Sequence, residues 1–419
     1  MLNRSIAPDF IPTQSLSLPS VVKVIDNFGV QFYCLKNPNL EIFRLEIVFR
    51  AGSYFGQKFA HSYFTSKLLS AGTKGKSSNE IAESFERLGG FLEVSQNQER
   101  LVVTLHGLSK FFEQYLPDLA AIVFSPTLPL EELDIQKKIA TQSYLVNIEK
   151  TVTEANKIFR EGLFGTDHSF GKTLQPSEID IVSQSEIVDF HAEFIKNTSF
   201  NVFLTGNFSD KDVDSIQSFF QQKTLVFKPS IIESPALNDV FNLKIDKPES
   251  VQSSIRLGRR MFNRHHPDFF KFLVFNTILG GFFGSRLMKN IREEKGLTYG
   301  ISSSIVPLAE EGYWSIGADV KKENVPMALE EIQKEIDVLK SEKVSESELG
   351  LVKNYMKGSV LSSTNTVFDI MDKHKAILHE NLPDDFYNTM LQQIDGVTAD
   401  EVQQMANTYM NDLSTVVVG

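Results

Sequence analysis

Several features that would point to whole classes of function are scarce or missing. The 419 residues contain one cysteine, Cys34, so no internal disulfide can form. It lies in the apolar stretch Val30-Gln31-Phe32-Tyr33-Cys34-Leu35, which reads as a small buried hydrophobe rather than a catalytic thiol. No run of about 18 apolar residues occurs, and residues 1–9 lack the uninterrupted apolar core of a signal peptide. The expectation is a soluble, cytoplasmic chain with no membrane partner. Positive charge is in deficit: 42 Lys and Arg against 53 Asp and Glu leave a net charge of -11. A surface of that sign repels phosphate backbones, so nucleic acid is not an expected partner. No Ser, Gly or Pro tract breaks the apolar pattern, which argues for a folded chain.

What is present is enough apolar material for a large core. Hydrophobic residues make up 42% of the chain, and at roughly 150 residues per domain two or more units are expected. Phe is over-used, with 34 against 10 Tyr and the single Trp314, which reads as a Phe-rich core.

The strongest organisational signal is a long internal repeat. Residues 41–50 alternate as a half-buried strand, followed by an apolar helix over 60–70, Gly72 as a stop, and a second helix over 78–88 closed by Gly89-Gly90. Two strands (91–95 and 101–105), an amphipathic helix (110–123), a loop bounded by Pro126 and Pro129, and a long helix from Glu131 come next. The second half replays this order. A strand over 252–257, helices over 268–279 and 285–294, strands over 297–304 and 312–319, and a helix over 323–340 precede Ser345-Glu346-Ser347-Glu348, a capping-box start. Two homologous domains of α+β class are the economical reading, each a mainly antiparallel sheet packed with helices. Residues 1–222 and 249–419 form the two domains, and the Pro-containing stretch 223–248 the linker.

Ordinary catalytic signatures do not appear. There is no His-Glu-x-x-His, and no Gly-x-Ser-x-Gly nucleophile elbow. Gly280-Gly281-Phe282-Phe283-Gly284 follows a helix and lacks Gly-x-Gly-x-x-Gly, so it reads as a helix break rather than a phosphate cradle. His374 and His379 are five apart, about 140° around a helix, and so do not share a face. His265-His266 read as loop and helix-start residues, and His106 and His191 as satisfied structural histidines. Glu310-Glu311 and Lys321-Lys322-Glu323 read as solvated turns.

A set of spaced motifs nevertheless forms a pattern. Arg50-Ala51-Gly52-Ser53, Ala71-Gly72-Thr73, Leu88-Gly89-Gly90, Phe164-Gly165-Thr166-Asp167-His168 and Asn201-Val202-Phe203-Leu204-Thr205-Gly206 run through the first half. Leu279-Gly280-Gly281, Ser285-Arg286-Leu287 and Arg292-Glu293-Glu294-Lys295-Gly296-Leu297-Thr298-Tyr299 run through the second. In this order they resemble the pitrilysin, insulinase and mitochondrial-processing-peptidase family of zinc metallopeptidases, over nearly the whole chain. The length resembles the bacterial form, in which one chain is half a clamshell and two chains enclose a chamber.

The resemblance implies a zinc motif, His-x-x-Glu-His, on the first long helix. Two His four residues apart share a helical face, with the Glu as general base toward the metal-bound water. Counting back from Ala71-Gly72-Thr73 puts Tyr63 and Lys67 at the His positions and Ser66 at the base. His61 offers no better register, and the distal ligand falls at Gln142 or Ser143, where no carboxylate stands. No metal or other cofactor is expected on this chain. The second implied element is kept: an Arg and a Tyr seven apart that bind the substrate carbonyl match Arg292 and Tyr299. Both side chains donate hydrogen bonds suited to an oxygen gaining charge. The resemblance also implies an edge strand for extended peptide substrate, at Phe91-Leu92-Glu93-Val94-Ser95. The expected function is a non-catalytic, substrate-binding subunit. Its partner would be a homologous chain carrying the zinc, and a dimer is expected. The alternative is an inert scaffold or peptide-binding relative in which Arg292 and Tyr299 are incidental.

Overall fold

The computed structural model describes residues 16, 18–27, 29–55, 58–168, 170–220 and 240–419. Strands β1 (Val22–Asn27) and β2 (Val30–Lys36) form a hairpin ahead of β3 (Ile42–Phe49). Helix α1 (Phe59–Leu68) and a two-residue ladder, β4 (Gly72–Thr73) with β5 (Lys76–Ser77), lead to α2 (Ser78–Glu86). The Ser77 hydroxyl accepts from Glu80 N while the Glu80 carboxylate accepts from Ser77 N, so α2 starts with two of its orphan donors satisfied. Strands β6 (Phe91–Gln96) and β7 (Leu101–Leu108) precede α3 (Phe112–Phe124), α4 (Leu130–Ile148), α5 (Thr151–Phe164), α6 (Pro176–Ile181) and α7 (Gln184–His191). Strand β8 (Phe200–Gly206) and α8 (Asp210–Phe220) end the first half.

The second half begins with β9 (Asn242–Ile245), β10 (Gln252–Met261) and α9 (Phe269–Gly280). A π-helical stretch, Met288–Glu294, leads into β11 (Thr298–Pro307) and β12 (Gly312–Lys321). Then come α10 (Val325–Ser341), α11 (Glu346–Ser362), α12 (Val367–His379), α13 (Phe386–Gly396), α14 (Ala399–Tyr409) and β13 (Ser414–Val418).

The repeat is visible in the sheets. The first runs β1-β2-β8-β3-β7-β6 and the second β11-β12-β10-β13-β9. Matching β6, β7, β3, β8 and β2 to β11, β12, β10, β13 and β9 superimposes the two orders, with the parallel pair in the same place (β2 with β8, β9 with β13). Every other ladder is antiparallel. The α+β reading of two homologous units therefore holds. Each unit has its own core; the first is Phe-rich, with Phe32, Phe43, Phe49, Phe85 and Phe112 among its buried residues, and the second packs around fully buried Phe272, Phe275 and Trp314. The indole of Trp314 donates to Asn276 Oδ1 at 2.8 Å, so its one polar atom is satisfied.

Several local expectations are corrected. Of the stretch 223–248 read as linker, 223–239 lie outside the described residues, while Asn242–Ile245 pairs with β13 as the last strand of the second sheet. The backbone amides there are satisfied by a ladder that local composition does not announce. Strand β3 is buried on both faces rather than half-buried, including Arg44 and Glu46. Its second face is covered by α12, from the far end of the chain. In return α5, from the first half, covers β10 and β13 of the second sheet. Each half thus lends one helix to the other's sheet. Residues 288–294 wind as π-helix rather than α-helix, with Lys295 N bonding Asn290 O at 3.0 Å. At α11, Ser345 caps Glu348 N, but the Glu348 carboxylate turns away to Arg286 at 2.9 and 2.8 Å, so only half of the capping box forms. Glu311 is no solvated turn residue: it pairs with Arg260 in a half-buried setting. His374 and His379 both reach the first sheet, their rings 5.1 Å from Tyr33 and 5.7 Å from Phe203, because the sheet is broad enough to meet both sides of α12.

Candidate functional site

Helix α1 carries the three positions of the degenerate motif. It is apolar or small nearly all round and buries Ala60, His61, Ser62, Phe64, Thr65, Ser66 and Leu68 against neighbours that include α4, α6, α7 and β6. Tyr63 and Lys67, one turn apart, remain on its open side, and the Lys67 ammonium sits 5.6 Å from the centre of the Tyr63 ring. Burial raises the Tyr63 phenol above its ordinary range, so it stays a neutral donor. Ser66 turns inward and donates to Tyr63 O at 2.7 Å, a bond within its own helix. Ser143 is exposed on α4. A phenol, an inward hydroxyl and an ammonium supply no imidazole, thiolate or carboxylate, so these residues do not fit zinc. Among the described residues, no group of three or more His, Cys, Asp or Glu is placed to hold a metal ion.

The nearest histidine, His61, is engaged elsewhere. Its Nε2 lies 3.6 Å from Glu186, near but not hydrogen-bonded, and that carboxylate accepts from Lys58 at 2.6 Å and caps α7. The Lys58 hydrogen bond is the largest influence holding the Glu186 carboxyl down to about 2. Burial lowers the His61 imidazole, although Glu186 pulls the other way. These partners are more than a hundred residues apart in the chain, and no local signal announces them.

Edge strand β6 lies beside the motif helix. It is the last strand of its sheet, and the Ser62 hydroxyl of α1 reaches Gln96 at 3.5 Å. Phe91 is 61% exposed; Glu93 is exposed, and Leu92 and Val94 are half-buried. The second half repeats this design with β11 as its edge strand. Both strands are entered through a glycine in the left-handed region, Gly89 at φ 71° and Gly296 at φ 63°, where other residues are strained. Tyr299 stands near the start of β11 and is 91% exposed. Arg292, on the π-helical stretch, is half-buried with its guanidinium 4.7 Å from the centre of the Phe283 ring. Among the described residues, no hydrogen bond or ring contact joins Arg292 to Tyr299.

Comparison with known proteins accounts for this layout. Residues 33–164 match the family described as Insulinase (Peptidase family M16), and residues 182–356 the one described as Peptidase M16 inactive domain. The chain belongs to the M16 peptidase family. A Bacillus subtilis relative, the uncharacterized zinc protease YmxG, is 24% identical over 82% of this M16 chain and 84% of its own length. A Helicobacter pylori relative described as non-peptidase homolog YmxG is 23% identical over 89% and 88%. Among solved structures, a peptidase M16 inactive domain from Pseudomonas fluorescens superimposes with a TM-score of 0.87 at 26% identity, covering 96% of this chain and 98% of that one.

The remaining sequence readings fall into place around the M16 fold. Cys34 is buried, and burial pushes its thiol up to about 12, which suits a packing residue. His191 is buried with Nε2 2.8 Å from Val123 O, a satisfied structural histidine, whereas His106 is exposed on β7. Among the described residues, no helix is long and apolar enough to cross a membrane.

Proposed function

We propose that this chain is a non-catalytic, substrate-binding subunit of a heterodimeric M16 peptidase of the cytoplasm. Its partner is a homologous chain that bears the zinc. The observation that carries the reading is a contrast within one sequence. All three motif positions on α1 have lost their ligating chemistry, yet Arg292 and Tyr299 keep their seven-residue spacing, with Tyr299 91% exposed. A phenol so exposed, with no hydrogen-bond partner among the described residues, is free to donate to something outside the chain. In this reading Arg292 and Tyr299 donate to the carbonyl oxygen of a peptide held at the partner's site, and the open edge at Phe91, Leu92, Glu93 and Val94 takes extended peptide by strand addition. Support also comes from the match to the inactive-domain family and from the Helicobacter relative described as a non-peptidase homolog.

The test is turnover by the mixed complex. Tyr299→Phe removes one donor and leaves volume almost unchanged, so kcat should fall by roughly 100-fold, with assembly and the partner's zinc content unaffected. Arg292→Lys keeps the charge and loses the planar fork, and should also impair turnover. Wild-type turnover from both variants would instead support the inert scaffold.

A further inference from the structure

We infer that a cleft on the open face of the second sheet binds the α-carboxylate of an extended peptide. Helix α5 covers β10 and β13 on this face and leaves the outward side of β11 and β12 uncovered. Against the α5 wall lies a cleft of about 400 Å³, within the range of small-ligand sites. Arg256 of β10 lines it and is only 8% exposed. Its Nε donates to Asn156 Oδ1 on α5 at 2.6 Å, and its Nη1 to Ile255 O at 2.7 Å. Its Nη2 makes no hydrogen bond, and no carboxylate forms an ion pair with the guanidinium, among the described residues. The Asp319 carboxylate is near enough to offset part of this buried charge but makes no ion pair with it, and an anionic ligand on Nη2 would supply the missing hydrogen-bond partner.

The surroundings define the anion. Arg256 stands level with Gly317 on β12 and Ser302 on β11. A Cβ at Gly317 would sit 3.3 Å from Arg256 Nη1, so the absent side chain leaves room for the guanidinium to lie across β12. Nη2 is the one guanidinium nitrogen with no hydrogen-bond partner among the described residues, and the Asp319 carboxylate also lines the cleft. A single negative charge suits this arrangement, whereas a phosphate dianion would meet repulsion. Small outward residues, Gly300, Ser302 and Ser304, continue the floor along β11, and Ser315 faces Ser304 across the ladder. From Gly300 to Val306 this floor spans about 20 Å at the rise of a β-strand, longer than a small acid and suited to a peptide laid along the edge.

The cleft belongs to this chain alone, so the inference stands apart from the heterodimer reading and is tested without a partner. The probe is a fluorescein-labelled hexapeptide of alternating Ala and Ser, with a free carboxylate or a carboxamide at its C-terminus. Fluorescence anisotropy on the purified chain should give the acid a Kd at least roughly tenfold below the amide. Arg256→Gln should abolish that preference. Because Arg256 also ties β10 to α5, the second variant is Ser302→Leu, at an exposed position where a larger side chain blocks the floor without touching the core. It should weaken the acid roughly tenfold or more. Equal binding of acid and amide, no binding at millimolar peptide, full binding by Ser302→Leu, or displacement by submillimolar inorganic phosphate would each overturn the inference.

Discussion

At the scale of single residues, α1 shows how a metal motif is replaced without loss of the helix that carried it. Tyr63 and Lys67 stack on each other, and Ser66 bonds back to Tyr63 O, so the three positions are mutually satisfied. The purified chain is therefore expected to bind no stoichiometric zinc and to cleave no peptide alone. Elemental analysis is the check, and about one zinc per chain, lost in His61→Ala, would defeat the expectation. Among the described residues, Glu186 is the one carboxylate within 4 Å of His61 and is already engaged by Lys58, which is too few ligands for a tetrahedral site.

At the scale of elements, the contact between β3 and α12 buries two charged side chains of one strand. Glu46 Oε1 accepts from Lys375 Nζ at 2.6 Å, and Arg44 Nη2 donates to Asp372 Oδ1 at 2.7 Å, with Arg44 and Glu46 9% and 5% exposed. Lys375→Met strands part of the Glu46 charge and should cost about 3 kcal/mol in urea unfolding, whereas replacing Glu46 and Lys375 together with Leu should cost less. A double variant as unstable as the sum of the two single ones would show that the pair is not coupled. The same helix makes stability depend on pH. Burial, aided by Arg100 and Lys375, lowers the His379 imidazole to about 2, and burial lowers His374 as well. Both are neutral when folded and gain a proton on unfolding once pH drops below about 6.5. Their contribution is thus complete above that pH and is lost as acidity increases toward the folded value, by up to about 1.4 kcal/mol per pH unit for each group. Unfolding midpoints measured from pH 7 to 5 should fall steeply, and His379→Leu should flatten the slope. An unchanged slope would mean that the imidazole is hydrated in the fold.

At the scale of the whole molecule, the two halves are joined by exchange rather than by a simple hinge. Helix α12 seals Tyr33, Leu35, Val48 and Phe203 of the first sheet, while α5 packs Phe159 and Leu163 beside Val416 and Val418 of the second. A fragment of residues 1–222 lacks α12 and should expose that apolar face. It is expected to bind a hydrophobic dye and to unfold without a sharp transition, and to lose both behaviours when mixed with residues 240–419. Cooperative unfolding of the fragment at the full-length midpoint would contradict the exchange.

Much of this was legible in the sequence, because it depends on local pattern. Strand and helix periodicity, repeated in order, announced two α+β units, and the side chains at the three motif positions on α1 are, by type alone, not zinc ligands whatever the packing. Gly89 and Gly296 marked the turns into both edge strands because few other residues tolerate that backbone region. What only the tertiary structure decided concerns residues that meet from far apart. Arg44 and Glu46 alternate with apolar neighbours as solvent-facing residues do, yet they are buried, since Asp372 and Lys375 arrive more than 300 residues later to pair with them. Arg256 likewise reads as one more outward strand residue; its burial depends on α5, whose Asn156 bonds it on one side, while Gly317 leaves room on the other. Periodicity records which face a residue takes, but not what comes to cover that face. That depends on which distant elements can satisfy its charges and fill its volume.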